Sequence, residues 1–269
     1  MGVLLVFMNL THCFGTIKAV LFDCDGTLVD SEYAHYMGWK QALNDVGSDL
    51  SLEDYHQYIG RPAEANANLL ATKLGKDCAD ILVKMKREYY RELCAGGLPP
   101  IENTVNFLKS LASEKDALGI KIGVCSAARR ADILFHLKQL GISDLFDIVL
   151  SGQEDLHEYC DPDGVNKPKP YIYLHAMKLL DVLPHETVVI EDSNPGAAAA
   201  ISAGCFTIAV PTRYTKNHDF SGTNWILDSF SGMSVRAFLD TISQTQTLEK
   251  KELAANDINN LNVGLSSSY

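Results

Sequence analysis

The stretch IKAVLFDCDGTLVDSE, residues 17–32, decides the fold of this chain. It opens with an apolar run and ends in two acids, Asp23 and Asp25, which Gly26 and Thr27 follow. Because the run is continuously apolar, it predicts a buried strand of a parallel sheet. Side chains two positions apart on a strand point the same way, so both carboxylates are expected to face one place at its carboxyl end. Open α/β sheets bind their ligands at that edge.

The Asp-x-Asp-Gly-Thr motif alone is also compatible with a turn that ends a strand, since Asp and Gly are common turn residues. A second segment favours a ligand site. IKIGVCSAARR, residues 120–130, predicts another apolar strand that ends in Ser126, followed by a helix that begins near Arg129. A hydroxyl beside the free N–H groups of a helix start suits an anion. The plainer interpretation is that Ser126 caps that helix.

Two further segments carry charged groups. In NKPKPYIY, residues 166–173, Lys167 stands before two prolines that stiffen the backbone and open a helix. In TVVIEDSNPGAAAAISAGC, residues 187–205, an apolar strand ends in Glu191 and Asp192. Taken singly, the lysine is compatible with a solvated amine and the acids with a surface loop. The order Asp-x-Asp, Ser, Lys, Glu-Asp, with three of the four groups following apolar strands, favours one common site.

Composition narrows the class of protein. The chain has 269 residues, of which 46% are hydrophobic and 21% charged, which is typical of a globular protein of one large or two modest domains. The formal net charge of −11 argues against a nucleic-acid partner. An anionic substrate therefore needs local positive charge, from a metal ion, from Lys167, or from Arg61, Arg129 or Arg130.

Seven cysteines without a CxxC pair predict neither a zinc site nor disulfides, which fits a reducing cytoplasm. Residues 1–16 are read as an N-terminal extension that is too short to span a membrane and lacks the pattern of a signal peptide, although Met8 is an alternative start. Residues 245–269 are predicted to form a polar tail. We therefore expect a cytoplasmic protein with no membrane partner, and a monomer.

The remaining pattern predicts an α/β fold with an inserted helical domain. Residues 31–96 have helical periodicity broken at glycines, with Asp30 and Ser31 as N-cap candidates. The core is assigned to residues 17–30 and 97–244, where strands alternate with helices as in a parallel sheet covered on both faces. Strands are predicted near 17–23, 120–126, 146–150, 187–191, 205–210 and 224–228. Helices are predicted near 102–115, 129–140, 171–181, 196–203 and 234–244.

These motifs resemble the haloacid dehalogenase (HAD) superfamily over roughly residues 17–230. FDCDGTLVDSE, KPKP and VVIEDSNPGAAAA are similar to the subgroup of phosphoglycolate phosphatase, β-phosphoglucomutase and CbbY-type sugar phosphatases, and the segment YTKNHDFSGTNWILDSF is similar to the CbbY branch. The resemblance implies a Rossmann-like parallel sheet with the Asp23 strand in the centre. It also implies that residues 31–96 are a C1-type cap.

The resemblance also implies roles for individual residues. Asp23 is the nucleophile that forms an aspartyl-phosphate, and Asp25 is the general acid and base. Ser126 and Lys167 bind the phosphoryl group. The implied cofactor is Mg²⁺, held by Asp23, Asp192, the backbone carbonyl of Asp25, and Glu191 directly or through water. Thr27 hydrogen-bonds within the loop or simply packs.

Substrate contacts are expected from the cap and from Arg130. His35 and Trp39 lie four residues apart on one helix face, and with Lys40 they resemble the cap helix of β-phosphoglucomutase. The alternative is that Trp39 packs into the cap core. Gly60 and Arg61 fall where the family has a substrate loop.

Three functions remain open: a magnesium-dependent phosphatase of a small sugar or organic phosphate, a phosphomutase, and a non-catalytic phosphate-binding protein. No core motif residue is lost, which disfavours the third. Two departures from the family pattern concern the substrate: Tyr171 replaces the usual acid after the KPxP prolines, and the segment before Lys167 is long and acidic. There, Asp161, Asp163 and Gly164 resemble part of a calcium loop, although a solvated turn explains them better. The expected partner is a small phosphorylated metabolite.

Overall fold

A computed structural model of the chain describes residues 17–248. Ile17–Val235 form one compact unit, and residues 236–248 are the described, helical part of a second. The predicted N-terminal extension and all but the first residues of the predicted tail lie outside the described residues. Within the described range, no helix has both the length and the apolar character needed to cross a bilayer.

The core of the larger unit is a six-stranded parallel sheet with the order β3-β2-β1-β4-β5-β6. The strands are β1 Ala19–Phe22, β2 Lys121–Ser126, β3 Ile148–Ser151, β4 Thr187–Glu191, β5 Phe206–Ala209 and β6 Trp225–Ile226. Every residue of β1 is buried, as its unbroken apolar pattern predicts for a strand covered on both faces. All six predicted strands are confirmed, and the strand before Asp23 is central, as the resemblance implies.

Helices occupy every connection between strands except that between β5 and β6, and a last helix follows β6. They are α1 Glu32–Asp45, α2 Leu52–Tyr55, α3 Ala63–Leu74, α4 Ala79–Cys94, α5 Glu102–Leu118, α6 Arg130–Gln139, α7 Tyr171–Leu180, α8 Asn194–Ser202 and α9 at 235–248. Short 3₁₀ helices lie at His56–Tyr58, Ser143–Leu145 and Pro184–Glu186. The α/β class that the sequence predicted is therefore the observed one.

The long connection between β1 and β2 contains α1 to α4 ahead of α5, and no strand. These four helices enclose a cluster of apolar side chains that includes Trp39, Leu43, Leu70 and Leu82. Trp39 is 2% exposed, so the packing role considered for it is present. The assignment of residues 31–96 as a separate cap domain stays a prediction, because Ile17–Val235 form one compact unit.

The N-terminus of α1 differs from the sequence expectation. Ser31 holds the N-cap position, but its side chain makes no capping hydrogen bond. Its hydroxyl donates to Oδ1 of Asp25 at 2.6 Å. The backbone of Ser31 is already helical, with φ −96° and ψ −12°, and not in the extended conformation usual for a capping serine. Its hydroxyl therefore serves the strand end and not the helix.

Candidate active site

A cavity lies at the carboxyl ends of β1, β2 and β4, with α1, α3 and α4 forming its other wall. Of the residues predicted for the site, nine line this cavity: Asp23, Asp25, His35, Trp39, Gly60, Arg61, Ser126, Lys167 and Asp192. The fold therefore brings most of the sequence-predicted residues to one place, although Asp23 and Asp192 are 169 positions apart along the chain.

Lys167 is the centre of a buried ionic cluster. Its Nζ donates to Oδ1 of Asp23 at 2.5 Å, to Oε1 of Glu191 at 2.6 Å and to the carbonyl of Cys125 at 2.8 Å. Burial alone would lower the pKa of this amine, but the charges of Asp23 and Glu191 outweigh burial and raise the pKa above its ordinary value. Lys167 is 3% exposed, so its amine is not a solvated surface group.

Glu191 receives a further donor that sequence reasoning missed. The hydroxyl of Tyr173 donates to Oε1 of Glu191 at 2.5 Å. Both side chains are fully buried. Tyr173 lies on α7, six residues after Lys167 in the sequence. The signal that could have found it is an aromatic hydroxyl on an otherwise apolar helix face. Glu191 does not itself line the cavity and lies beneath it.

The carboxylates of Asp23, Glu191 and Asp192 form a group whose oxygen atoms lie within 4.8 Å of one another. Burial, partly opposed by Lys167 and reinforced by Glu191, raises the pKa of Asp23 to about 8. Burial and the charges of Asp23 and Glu191 raise the pKa of Asp192 well above its ordinary value. Three buried acids with one ammonium have a deficit of positive charge, and hard oxygen donors suit a divalent cation such as Mg²⁺.

Two glycines leave space for these acids. A Cβ at Gly26 would overlap the carboxyl group of Asp192, and one at Gly196 would overlap that of Glu191. Gly26 also has a φ of +80°, which glycine adopts without strain. Both glycines therefore let the backbone approach the acidic group closely.

Asp25 has a different set of neighbours from Asp23. Besides Ser31, its carboxylate lies 3.3 Å from Nε2 of His35 and 3.4 Å from the hydroxyl of Ser126. Burial would raise its pKa, but the hydrogen bond and charge of His35, with the hydroxyl of Ser31, hold the pKa well below its usual range. The carboxylate of Asp25 is not part of the three-acid group, so only the backbone carbonyl of Asp25 remains as a candidate metal ligand.

Lys86 completes this second cluster and was not predicted. Its buried Nζ lies 2.7 Å from Nδ1 of His35 and 4.5 Å from the ring centre of Tyr90. Burial lowers the pKa of Lys86 to about 8. Because an ammonium only donates, Nδ1 accepts and the ring proton lies on Nε2, toward Asp25. The sequence signal was a lysine within the buried stripe of α4, between Leu82 and Tyr90.

Comparison with known proteins identifies this arrangement. Residues 17–204 match the family model of haloacid dehalogenase-like hydrolases.

The chain belongs to the haloacid dehalogenase-like hydrolases.

Its relatives within this HAD family include a phosphomutase and a CbbY protein. It is 30% identical to β-phosphoglucomutase of Bacillus subtilis, over 72% of this chain and 83% of that enzyme. It is 28% identical to CbbY of Rhodobacter capsulatus, over 82% of this chain and 97% of the relative. The crystal structure of CbbY from Rhodobacter sphaeroides in complex with phosphate superposes with a TM-score of 0.68 at 25% identity, covering 84% of this chain and all of that one.

Ser126 is not the cap of the following helix in this HAD protein. Helix α6 begins at Arg130, and its N-cap position is Arg129. The Ser126 hydroxyl instead accepts from the backbone N–H of Ala128 at 3.0 Å, which holds it at the cavity wall beside Asp25.

The basic residues fall into two groups. Arg130 pairs with Asp155 at 2.5 Å and is not among the cavity-lining residues, whereas Arg129 lines the cavity. Lys40 is held by Asp49 and the carbonyl of Leu50, away from the cavity. Two arginines of α4 that sequence reasoning missed, Arg87 and Arg91, also line it.

The remaining candidates are Thr27 and Gly60. The hydroxyl of Thr27 is buried without a hydrogen-bond partner among residues 17–248 and does not line the cavity, which favours the packing interpretation. Gly60 has a φ of +76°, and a Cβ there would meet Ser193 and Pro195. The segment at Gly60 therefore lies directly against the loop that carries Asp192.

The acidic turn before Lys167 is closed by lysine. Lys169 pairs with Asp161 at 3.1 Å and with Asp163 at 3.4 Å, and Tyr171 donates to Asp161. These acids have protein partners, so the solvated-turn interpretation describes them better than a calcium loop.

Proposed function

We propose that this chain is a magnesium-dependent phosphatase that hydrolyses a small sugar or organic phosphate monoester through an aspartyl-phosphate. The observation that carries the proposal is the convergence of Lys167 with the buried carboxylates of Asp23, Glu191 and Asp192 at the carboxyl ends of the central strands. The family supports the reaction class, since it contains both phosphatases and phosphomutases. Free thiols at all six described cysteines support a cytoplasmic location.

In this mechanism Asp23 attacks phosphorus and forms an acyl phosphate as the bond from phosphorus to the ester oxygen breaks. Asp25 is ionised in the free site and would first gain a proton as the substrate binds. It then gives that proton to the leaving alcohol and takes a proton from the water that hydrolyses the intermediate. Lys167 and the Ser126 hydroxyl bind the phosphoryl oxygens. A magnesium ion held by Asp23, Asp192 and the carbonyl of Asp25, with Glu191 beneath, would supply the positive charge that lets one anion approach another.

Metal dependence is the first test. With p-nitrophenyl phosphate as substrate, excess chelator is expected to reduce turnover by about a hundredfold or more, because preorganised charge is usually the largest catalytic contribution. Added Mg²⁺ should restore the rate. Calcium is the matched control and should restore less of the rate than Mg²⁺, because its longer bonds and larger coordination number fit the phosphoryl geometry less well. Full activity in excess chelator would contradict the metal assignment.

A phosphomutase is the second candidate, and one contact favours it. His35 of α1 contacts Asp25, and Lys86 of α4 contacts His35, so a residue of the proposed cap reaches the proposed acid and base. A mutase needs such a contact, because it must keep water from the aspartyl-phosphate until sugar is bound.

Product analysis separates the two candidates. Given β-glucose 1-phosphate with a trace of the 1,6-bisphosphate, the phosphatase is expected to release inorganic phosphate faster than it forms glucose 6-phosphate. Both products can be followed in one reaction by coupled assays. Faster formation of glucose 6-phosphate would establish the mutase instead.

A further inference from the structure

Glu32, the first residue of α1, is a buried acid in the wall of the proposed phosphate cavity. It is 5% exposed and lines the cavity together with Asp23 and Asp25. Its Oε2 accepts from the hydroxyl of Tyr55 at 3.0 Å. Within residues 17–248 it forms no ion pair, and its Oε1 receives no protein donor. Burial, reinforced by the charge of Asp25 and opposed by the Tyr55 hydrogen bond, raises its pKa to about 7.

A second acceptor in the same cavity wall also lacks a donor. Asn66 of α3 is 3% exposed, and its Nδ2 donates to the carbonyl of Tyr58 at 2.8 Å. That bond fixes the amide, so the opposite atom is the acceptor. Its Oδ1 is buried and has no hydrogen-bond partner in the described part of the chain.

These acceptors are unfavourable for a phosphate group alone. A carboxylate beside a phosphate site repels the ligand, and a buried acceptor left without a donor costs about 1–3 kcal/mol. Lys86 acts on Glu32 only through its charge: its Nζ contacts His35, and no hydrogen bond or ion pair joins it to Glu32 within residues 17–248. A ligand in this cavity can supply the missing donors. Hydroxyl groups are donors that a sugar phosphate carries and that a phosphorylated carboxylic acid such as phosphoglycolate lacks.

We propose that Glu32 is a specificity-determining residue that accepts hydrogen bonds from hydroxyl groups of a polyhydroxylated phosphate ester and repels phosphorylated acids. This inference rests on the proposed function and narrows its substrate class to sugar phosphates. Asn66 supplies a second, neutral acceptor from the same wall.

The test compares substrates in one variant. In Glu32→Gln, the side-chain oxygen can still accept from Tyr55, so the fold is retained while the charge is removed. The kcat/KM for xylulose 5-phosphate and β-glucose 1-phosphate is measured relative to that for p-nitrophenyl phosphate, which has no hydroxyl donors. The better sugar phosphate is expected to lose about 10-fold to 100-fold in this ratio, the range for a hydrogen bond to a charged group. The ratio for phosphoglycolate should rise.

Glu53→Gln is the matched control, because Glu53 is an exposed acid in the first turn of α2 and does not line the cavity. It should leave every ratio unchanged. An equal fall for all substrates in Glu32→Gln, or no change in the ratios, would overturn the inference while leaving phosphatase activity in place. Failure of the wild type to hydrolyse any of the four esters would instead count against the proposed function.

Binding gives a readout that does not depend on turnover. Calorimetry on Asp23→Asn, with and without Glu32→Gln, compares the affinities of xylulose 5-phosphate and phosphoglycolate in magnesium. The inference predicts that Glu32→Gln weakens the first and strengthens the second. Parallel changes in both affinities would contradict it. A second variant, Glu32→Asp, keeps the charge but shortens the reach, so it should lose sugar affinity and still disfavour phosphoglycolate.

Discussion

Replacing Asp23 with Asn is expected to abolish turnover, with a loss of at least about ten-thousandfold, as for other covalent nucleophiles. The carboxamide is a poor nucleophile and no longer carries the charge that Lys167 and the proposed cation neutralise. The fold should persist, because Asn has the same shape and Lys167 keeps Glu191 and the carbonyl of Cys125 as acceptors.

The measurement is single-turnover hydrolysis of p-nitrophenyl phosphate, with acid quenching to trap the acyl phosphate by mass. The trapped adduct should add one phosphoryl group at Asp23 in the wild type and be missing in Asp23→Asn. Asp25→Asn is the companion variant. It should slow turnover by about 10²-fold to 10⁴-fold, the range of general acid–base catalysis. Near wild-type turnover in Asp23→Asn would exclude the covalent mechanism.

Replacing Lys167 with Met should cost both activity and stability. The side chain is 3% exposed and lies between two carboxylates, so Met leaves Asp23 and Glu191 buried without their cation. Breaking a buried pair by removing one partner typically lowers the free energy of unfolding by about 3–5 kcal/mol. If a divalent cation occupies the acidic group, its charge should offset part of this loss.

Chemical denaturation with and without Mg²⁺ measures both effects. Lys169→Met is the matched control, because that lysine lies two residues away in the same segment but pairs with Asp161 and Asp163 near the surface. It should leave stability nearly unchanged, since exposed ion pairs contribute little. Equal stabilities of the two variants, or a loss in Lys167→Met that magnesium leaves untouched, would show that the cluster does not work as described.

The sequence predicted those parts of the fold that depend on local pattern. The apolar run before Asp23 predicted a buried strand, and the helix predicted near 196–203 is α8, which begins two residues earlier at Asn194. The position of Lys167 against Asp23 followed from the resemblance, because the motif order fixes which strand ends meet. The sheet therefore needed little beyond periodicity and the resemblance.

Contacts between side chains of different helices were harder to predict from the sequence. His35 and Lys86 meet although 51 positions separate them, and Lys86 carries no motif of its own. Ser31 occupies the N-cap position, but its helical backbone makes no capping hydrogen bond and its hydroxyl donates to Asp25. Whether Arg129 or Arg130 faces the cavity depends on the residue at which α6 begins. Helix boundaries predicted from sequence are off by one or two residues, so the sequence did not distinguish the two arginines.

The central position of β1 has a consequence for synthesis on the ribosome. This strand leaves the exit tunnel well before one of its neighbours, β4, which begins only at Thr187. At usual elongation rates the delay is on the order of ten seconds or more. The helices α1 to α4 have local contacts and can form meanwhile, whereas β1 keeps an open apolar edge that invites mispairing. A nascent chain that stops before Thr187 should thus be held by chaperones, because it lacks Glu191 and Asp192 as well as the strand that covers β1.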